Sequence, residues 1–263
     1  MAKVSLRVVA LTYLLFLLVL PVAVICWRTF ANGFGPFWDA LTAPSAVHAF
    51  QVTLQVAIPA VIANTIFGVG VAILLVRHRF VGRKVLSALI DLPLAVSPVV
   101  VGLALILVYG RFAPIGGWFA DRGIDIIFAI PGMILATIFV SLPLVVRAIA
   151  PVLEEIGIEQ EQAAWTLGAT SWQAFRRVTI PAIRWALAYG MVLALARCLG
   201  EYGAVAVVSG NLVDQTQTLT LFVQERFGNF DAQSAYAASF ALAVIAVATL
   251  LLIQLLRPKE GTR

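Results

Sequence analysis

The sequence predicts an all-α integral membrane fold with six transmembrane helices, and three observations carry that prediction. Hydrophobic residues make up 62% of the 263 positions and charged ones only 12%, whereas an ordinary soluble domain is roughly 45–50% apolar and about 25% charged. The apolar residues gather into runs long enough to cross roughly 30 Å of hydrocarbon as helices. The eighteen basic residues fall almost entirely between those runs, and mostly on one side. The net charge of +5 does not point to nucleic acid, because the basic residues are not clustered with stacking aromatics. Cys26 and Cys198 sit in apolar surroundings, so no disulfide framework is expected. The residues before Cys26 are not the small ones a lipidated cysteine requires.

Residues 8–27 form a near-unbroken apolar run behind Lys3 and Arg7. It is longer than a secretory signal's apolar core and lacks a small-x-small cleavage site, so it is expected to stay as the first helix. Residues 30–50, with Gly33, Gly35, Pro36 and Pro44, read as a loop. The second helix is expected at 54–76, where Gly68 and Gly70 let a neighbour approach closely. Arg77, His78, Arg79, Arg83 and Lys84 make the next loop. The stretch 85–109 is interrupted by Asp91, Pro93 and Ser97-Pro98. A short interfacial helix up to about Asp91 and a kinked or tilted third span from Pro98 are expected there. After a loop at 110–130, the fourth helix, 131–149, opens on a proline, which suits a first turn. The fifth helix is expected at 186–208, a polar loop at 209–234 and the sixth helix at 235–256. The chain divides into an N-terminal helix with its loop (1–49), a transmembrane domain (50–256) and a tail (257–263).

Thirteen basic residues lie on the side of both termini and of residues 154–185; four lie on the other, and Arg197 lies within the fifth helix. The positive-inside rule therefore expects both termini and 154–185 in the cytoplasm, with the protein in the cytoplasmic membrane and in contact with lipid. His48 and His78 read as isolated, solvated loop residues. No G-x-x-x-x-G-K-[ST] occurs, so the chain has no nucleotide cradle of that kind. No H-E-x-x-H, nucleophile elbow or Cys/His ligand cluster occurs either, so neither an enzyme site nor a metal or cofactor site is expected.

Residues 154–185 form a polar island between spans. It holds Glu154, Glu155, Glu159 and Glu161, together with Arg176, Arg177 and Arg184. A first helix is expected at 159–167, ended by Gly168 in the left-handed conformation. Ser171 is expected to cap a second helix at 172–178, and Pro181 to start the chain in a new direction. Ala163, Ala164, Gly168 and Ala169 let another surface come close, beside the apolar knobs Leu167, Phe175 and Val178, which is a helix-in-groove pattern. On these features alone, a hairpin that merely joins two spans is an equal reading.

Arg197 and Glu201 lie four apart on one face of the fifth helix. A lone charge at the bilayer centre is unfavourable by about 2.5–3.5 kcal/mol, so the two are expected to pair and face inward. They either line a pathway or its gate, with the arginine attracting an oxyanion, or form a structural bridge. Gly200, Gly203 and Gly210 weaken the same helix. Ser97-Pro98 frees backbone groups at a bend, as a cavity lining or as a plain kink. An ion-gradient transporter relaying through Arg197, Glu201 and Asp91 is the rival of a different class.

Gln162-Ala163-Ala164, then Gly168, then Val178-Thr179-Ile180-Pro181 resembles the EAA loop of permease subunits of ATP-binding-cassette importers. The Gly-to-Pro spacing is the same; the first residue is Gln162 instead of Glu, with Glu161 just before it. The resemblance implies that Glu161, Gln162, Ala163, Ala164, Leu167, Gly168, Ala169 and Pro181 couple the chain to a separate ATPase. Three further stretches look like the CysW-type permeases of bacterial sulfate/thiosulfate importers. They are Leu92-Pro93 through Gly102, Phe128 through Gly132, and Arg197 through Val205 with Val208-Ser209-Gly210. The L-G-E-[FY]-G-A element is shared with molybdate and tungstate permeases. The resemblance implies a type I importer fold with cytoplasmic coupling helices. It also implies a cytoplasmic ATPase dimer holding the ATP and Mg²⁺, a homologous CysT-like permease, an extracytoplasmic sulfate-binding protein, and a pathway near Ser97, Pro98, Arg197, Glu201 and Ser209.

Overall fold

The bundle is built on helices whose apolar length exceeds what a bilayer needs. In the computed structural model, which describes residues 9, 12, 13 and 15–256, every regular element is helical. The expected start of the first helix, with Lys3 and Arg7, and the tail 257–263 lie outside the described residues.

A π-turn at Leu15–Val19 leads into α1 (Leu20–Phe30), which bends by 94° into α2 (Phe34–Thr42). The long α3 (Pro44–Arg77) carries Pro59 without ending there. Next come α4 (Arg83–Ala95) and, after a 112° bend, α5 (Pro98–Tyr109), then the short α6 (Pro114–Ala120) and α7 (Ile130–Ile156). The island holds α8 (Glu159–Thr166) and α9 (Ser171–Ala174), and a second π-turn at Phe175–Thr179 runs on into α10 (Ile180–Leu199). The chain ends with α11 (Gly203–Ser209), α12 (Leu219–Gly228) and α13 (Ala232–Leu256). Among the described residues, four stretches are long and apolar enough to cross a membrane: α3, α7, the run Ser171–Leu199 and α13. Counting each bent pair as one span brings the number to six, the number expected.

Several expectations are corrected. Residues 30–50 are not a loop: α2 and the first turns of α3 occupy them, and Phe30, Phe34 and Phe37 pack with one another, Phe30 and Phe37 also against Phe240 of α13. His48 accordingly lies half-buried on α3 rather than in a loop. The fourth helix extends to Ile156, so Glu154 and Glu155 ride on α7 instead of in the island loop. The fifth helix stops at Leu199 and resumes at Gly203. The expected polar loop 209–234 contains α12, whose Leu219, Leu221 and Phe222 are buried against the bundle.

The core is where α3, α7 and α10 meet, around Val69, Ala72, Val145, Ile149, Leu153 and Ile183. Small residues make the approach possible. A Cβ added at Gly68 would lie 2.8 Å from Val145 Cγ1, and one at Gly190 would lie 3.0 Å from Ala148 Cβ. A buried polar tie joins the same three helices. Asn64 of α3 donates to Ile138 O (3.1 Å) and Ser141 Oγ (2.7 Å) of α7, and the Cys198 thiol of α10 donates to Ser141 Oγ (3.3 Å). Between apolar helices in lipid, packing and such hydrogen bonds supply the specificity that hydrophobic burial supplies in water.

Gly68→Val is expected to destabilise the protein by about 1–3 kcal/mol through overpacking. Gly70→Val, where an added Cβ meets nothing within 4 Å, is expected to change it by less than about 0.5 kcal/mol. Apparent melting temperatures of the purified protein in detergent distinguish the two.

Candidate functional site

The first candidate site is the island elbow. α8 is eight residues long and buries none of them completely, too short to hold itself. Its C-terminus is closed by Gly168 at φ +85. Ala169 N–H donates to Ala164 O and Gly168 N–H to Trp165 O, both at 3.0 Å, the paired bonds of a Schellman closure. The second helix is capped by Thr170, not Ser171. Thr170 Oγ1 accepts from Gln173 N–H, and the Gln173 side chain accepts from Thr170 N–H, so Gln173 three positions on completes a capping box that Ser171 could not. Pro181 does not redirect the chain. The π-turn ahead of it absorbs the missing N–H, and Ser171–Leu199 is one span.

One carboxylate anchors the elbow. Glu161 Oε1 accepts from Arg77 Nη2 at 3.2 Å and from Thr179 Oγ1 at 2.9 Å, while Arg77 Nη1 donates to Leu153 O at 3.0 Å. The two charged side chains are only 10% and 12% exposed. This separates the EAA-like residues into two groups. Glu161, Ala164 and Ala169 sit half-buried toward the bundle, whereas Gln162, Ala163, Gly168 and Leu167, the last 88% exposed, face outward with Trp165 and Trp172. Pro181 lies above, at the start of α10.

The second candidate site is a crossing of two interrupted helices. α10 breaks at Gly200–Tyr202, and α11 runs against α5 at backbone distance. A Cβ at Gly203 would lie 3.1 Å from Pro98 Cβ, and one at Gly102 would lie 2.9 Å from Ala204 O. The structure therefore brings together the Ser97-Pro98 bend and the break beside Arg197. Arg197 Nη1 stands 2.5 Å from Glu201 Oε2. The Glu201 carboxylate is almost wholly buried, and its Oε1 accepts from Ala204 N–H at 2.9 Å, capping α11. Arg197 remains more than a third exposed, and Ser97 is exposed at the bend. Ser209 is not part of this group. It is fully buried at the other end of α11, its Oγ accepting from Asn211 N–H and its carbonyl from Thr216 Oγ1.

Besides the Arg77–Glu161 anchor, sequence reasoning missed the partner of Asp91. Asp91 of α4 is held in a two-pronged contact by Arg147 of α7. A lone acid in one apolar run and a lone base in another was the available signal.

Residues 64–261 match the family described as binding-protein-dependent transport system inner membrane component. The sulfate transport system permease protein CysW of Synechocystis is 46% identical over 98% of this chain and 94% of its own length. CysW of Escherichia coli K12 is 43% identical over 92% and 83%, and the permease CysT of Synechocystis is 37% identical over 95% and 87%. Among solved structures, a chain of a bacterial alginate ABC transporter in complex with an alginate pentasaccharide-bound periplasmic protein superposes with a TM-score of 0.77. Its sequence identity is 17%, and the alignment covers 97% of this chain and 92% of that one. That likeness shows the fold.

Glu161→Ala leaves Arg77 buried without its partner and is expected to destabilise the protein by about 3 kcal/mol, near the low end for breaking a buried pair. Gln162→Ala, on the exposed side of the same turn, is expected to stay within about 0.5 kcal/mol. Thermal unfolding and limited proteolysis of the elbow provide the comparison.

Proposed function

Because the chain belongs to the family of binding-protein-dependent transport system inner membrane components, we propose that it is the permease subunit of an ATP-binding-cassette importer that carries sulfate, and thiosulfate with it, across the cytoplasmic membrane. The observation that carries the substrate class is the 46% identity over 98% of the chain with a sulfate permease. In this reading both termini and the elbow face the cytoplasm. An ATPase dimer holding ATP and Mg²⁺ grips the exposed face of Gln162, Ala163, Gly168 and Leu167. A homologous permease completes the pathway, and an extracytoplasmic binding protein delivers the anion at the far end.

The geometry supports a mechanical route. The elbow's second helix is continuous with α10, so a displacement at Ser171 travels along a stiff element of about 39 Å to Arg197. Beyond it lies the break at Gly200–Tyr202, where motion can be taken up without unfolding. Arg197 attracts the dianion, and Glu201 neutralises Arg197 when the path is empty. The interrupted span is a two-state element biased at one end by the ATPase and at the other by the loaded binding protein.

The chain purified with its co-isolating subunits and binding protein should hydrolyse ATP faster with sulfate than with molybdate or tungstate. Stimulation by molybdate alone would transfer the assignment to that anion. Gly168→Trp is expected to abolish uptake while membrane insertion persists. An L-residue at φ +85 is strained by about 1–2 kcal/mol, and the indole would block the docking face. Unchanged uptake in that variant would remove the elbow from the coupling route.

A further inference from the structure

Residues 110–130 close the end of the bundle opposite the elbow. They run into α7 at Ile130, whereas the elbow follows Ile156, and the 27 residues of α7 extend about 40 Å as a helix. A bilayer with its headgroup zones is about 40–45 Å thick, so 110–130 lie at headgroup depth when the elbow lies at the other surface. α6 is folded back there onto the end of α5. A Cβ added at Gly116 would collide with Gly110 O, so glycine is what permits the approach.

Between the end of α5, α6 and residues 124–128 is an open cavity of about 800 Å³, walled by Ile106, Leu107, Gly116, Ala120, Ile126 and Ile127. Small-molecule sites occupy roughly 300–1,000 Å³ and are lined in the same way, mostly apolar with a few polar groups. The polar groups here are two charges, Arg111 and Asp125. Neither forms an ion pair among the described residues. The nearby Arg122 is already engaged: its guanidinium lies 3.7 Å from the centroid of the Trp118 ring and donates to Trp118 O at 2.8 Å. Phe112, Ile115 and Trp118 of the same stretch are exposed. Aromatic side chains exposed beside charges at this depth suit the lipid headgroup zone.

The ligand that answers this lining has an apolar body and, at one end, an anion and a cation close together. A phospholipid with a primary-ammonium headgroup has all three. Its acyl chain fits the apolar walls, its phosphate suits the guanidinium fork of Arg111, and its ammonium brings three N–H donors to Asp125. An anionic lipid would set its phosphate beside an unanswered Asp125, and a quaternary ammonium has no N–H to give. We propose that the cavity is a binding site for one phospholipid of the phosphatidylethanolamine class, at the membrane surface remote from the elbow. The site adjoins both interrupted helices. Phe128 N–H donates to Val208 O of α11 at 2.8 Å, and α5 runs from the Ser97-Pro98 bend to the cavity wall. A lipid seated there packs against the ends of both.

The test uses the detergent-solubilised complex of the chain with its co-isolating subunits, stripped of lipid and carrying Ala120→Cys; the unsubstituted complex supplies the background from Cys26 and Cys198. Phosphatidylethanolamine added in mixed micelles is expected to slow labelling of position 120 by a water-soluble maleimide at least about fivefold, and phosphatidylcholine or phosphatidylglycerol at the same concentration by less than about twofold, the difference one charge-assisted hydrogen bond supplies. Asp125→Asn should abolish the advantage of phosphatidylethanolamine over phosphatidylglycerol. Arg111→Gln should weaken protection by every phospholipid, and Arg111→Lys, which keeps the charge, should restore part of it. Leu107→Trp narrows the cavity and keeps both charges, so it should reduce protection independently of the charge variants. Equal protection by the three lipids, or a preference that survives both Asp125→Asn and Arg111→Gln, overturns the proposal. Slow labelling in the stripped complex that no lipid alters puts a partner chain in the cavity and overturns it as well.

Discussion

The structure depends most on one shared oxygen. Glu161 Oε1 takes a hydrogen bond from the Arg77 guanidinium at the end of α3 and another from the Thr179 hydroxyl below α10. α8 has no completely buried residue and too few turns to be helical by itself. Without that anchor the elbow would be a polar strand of chain between two spans. With it, the elbow has one side committed to the bundle and one side available, and the available side carries Leu167 and Gly168. A carboxylate only 12% exposed is stable when its lone pairs are answered, and here the answers come from Arg77 at the end of α3 and Thr179 in the π-turn that runs into α10.

A second economy of the same kind operates at Glu201. Its carboxylate neutralises Arg197 and also caps α11, so the break in the fifth span and the charge in the membrane are stabilised by one group. Irregular backbone at membrane depth is tolerated only where it is buried in protein or lines a cavity. Both interruptions, at Ser97-Pro98 and at Gly200–Tyr202, occur where α5 and α11 touch backbone to backbone. The rigid part of the molecule, tied by Asn64 and Ser141, lies beside them. The bundle thus comprises a packed core of α3, α7 and α10 and a pair of broken helices, α5 and α11, packed against each other.

Much of this was legible in the sequence where local chemistry decides. The span count followed from apolar length, and the Gly168 closure from a glycine placed after a helix-forming run. The Arg197–Glu201 pair was expected from the unfavourable energy of a lone charge, and it forms although the helix ends at Leu199 and Glu201 lies in the break. The misreadings have two causes: in residues 30–50 a tertiary contact overrode a local signal, and at Ser171 and Pro181 a neighbouring local device displaced the expected one. Gly33, Gly35, Pro36 and Pro44 read as a loop, yet the phenylalanines among them find Phe240 and a helix forms. Ser171 is a good cap, but Thr170 has Gln173 at the right distance. Pro181 is a helix breaker whose missing hydrogen bond was absorbed by a π-turn ahead of it.

By itself the sequence determined a six-span helical membrane protein, the side on which its basic residues gather, and the polar elbow with its glycine hinge, because apolar length, charge asymmetry and left-handed backbone are properties of neighbouring residues. Only the tertiary structure decided that Glu161 rather than Gln162 is the anchoring residue, that Arg147 answers Asp91, and that Ser97-Pro98 meets Gly203. Those outcomes depend on which helices lie side by side, and positions 91 and 147, or 98 and 203, are brought together by packing that no local pattern encodes.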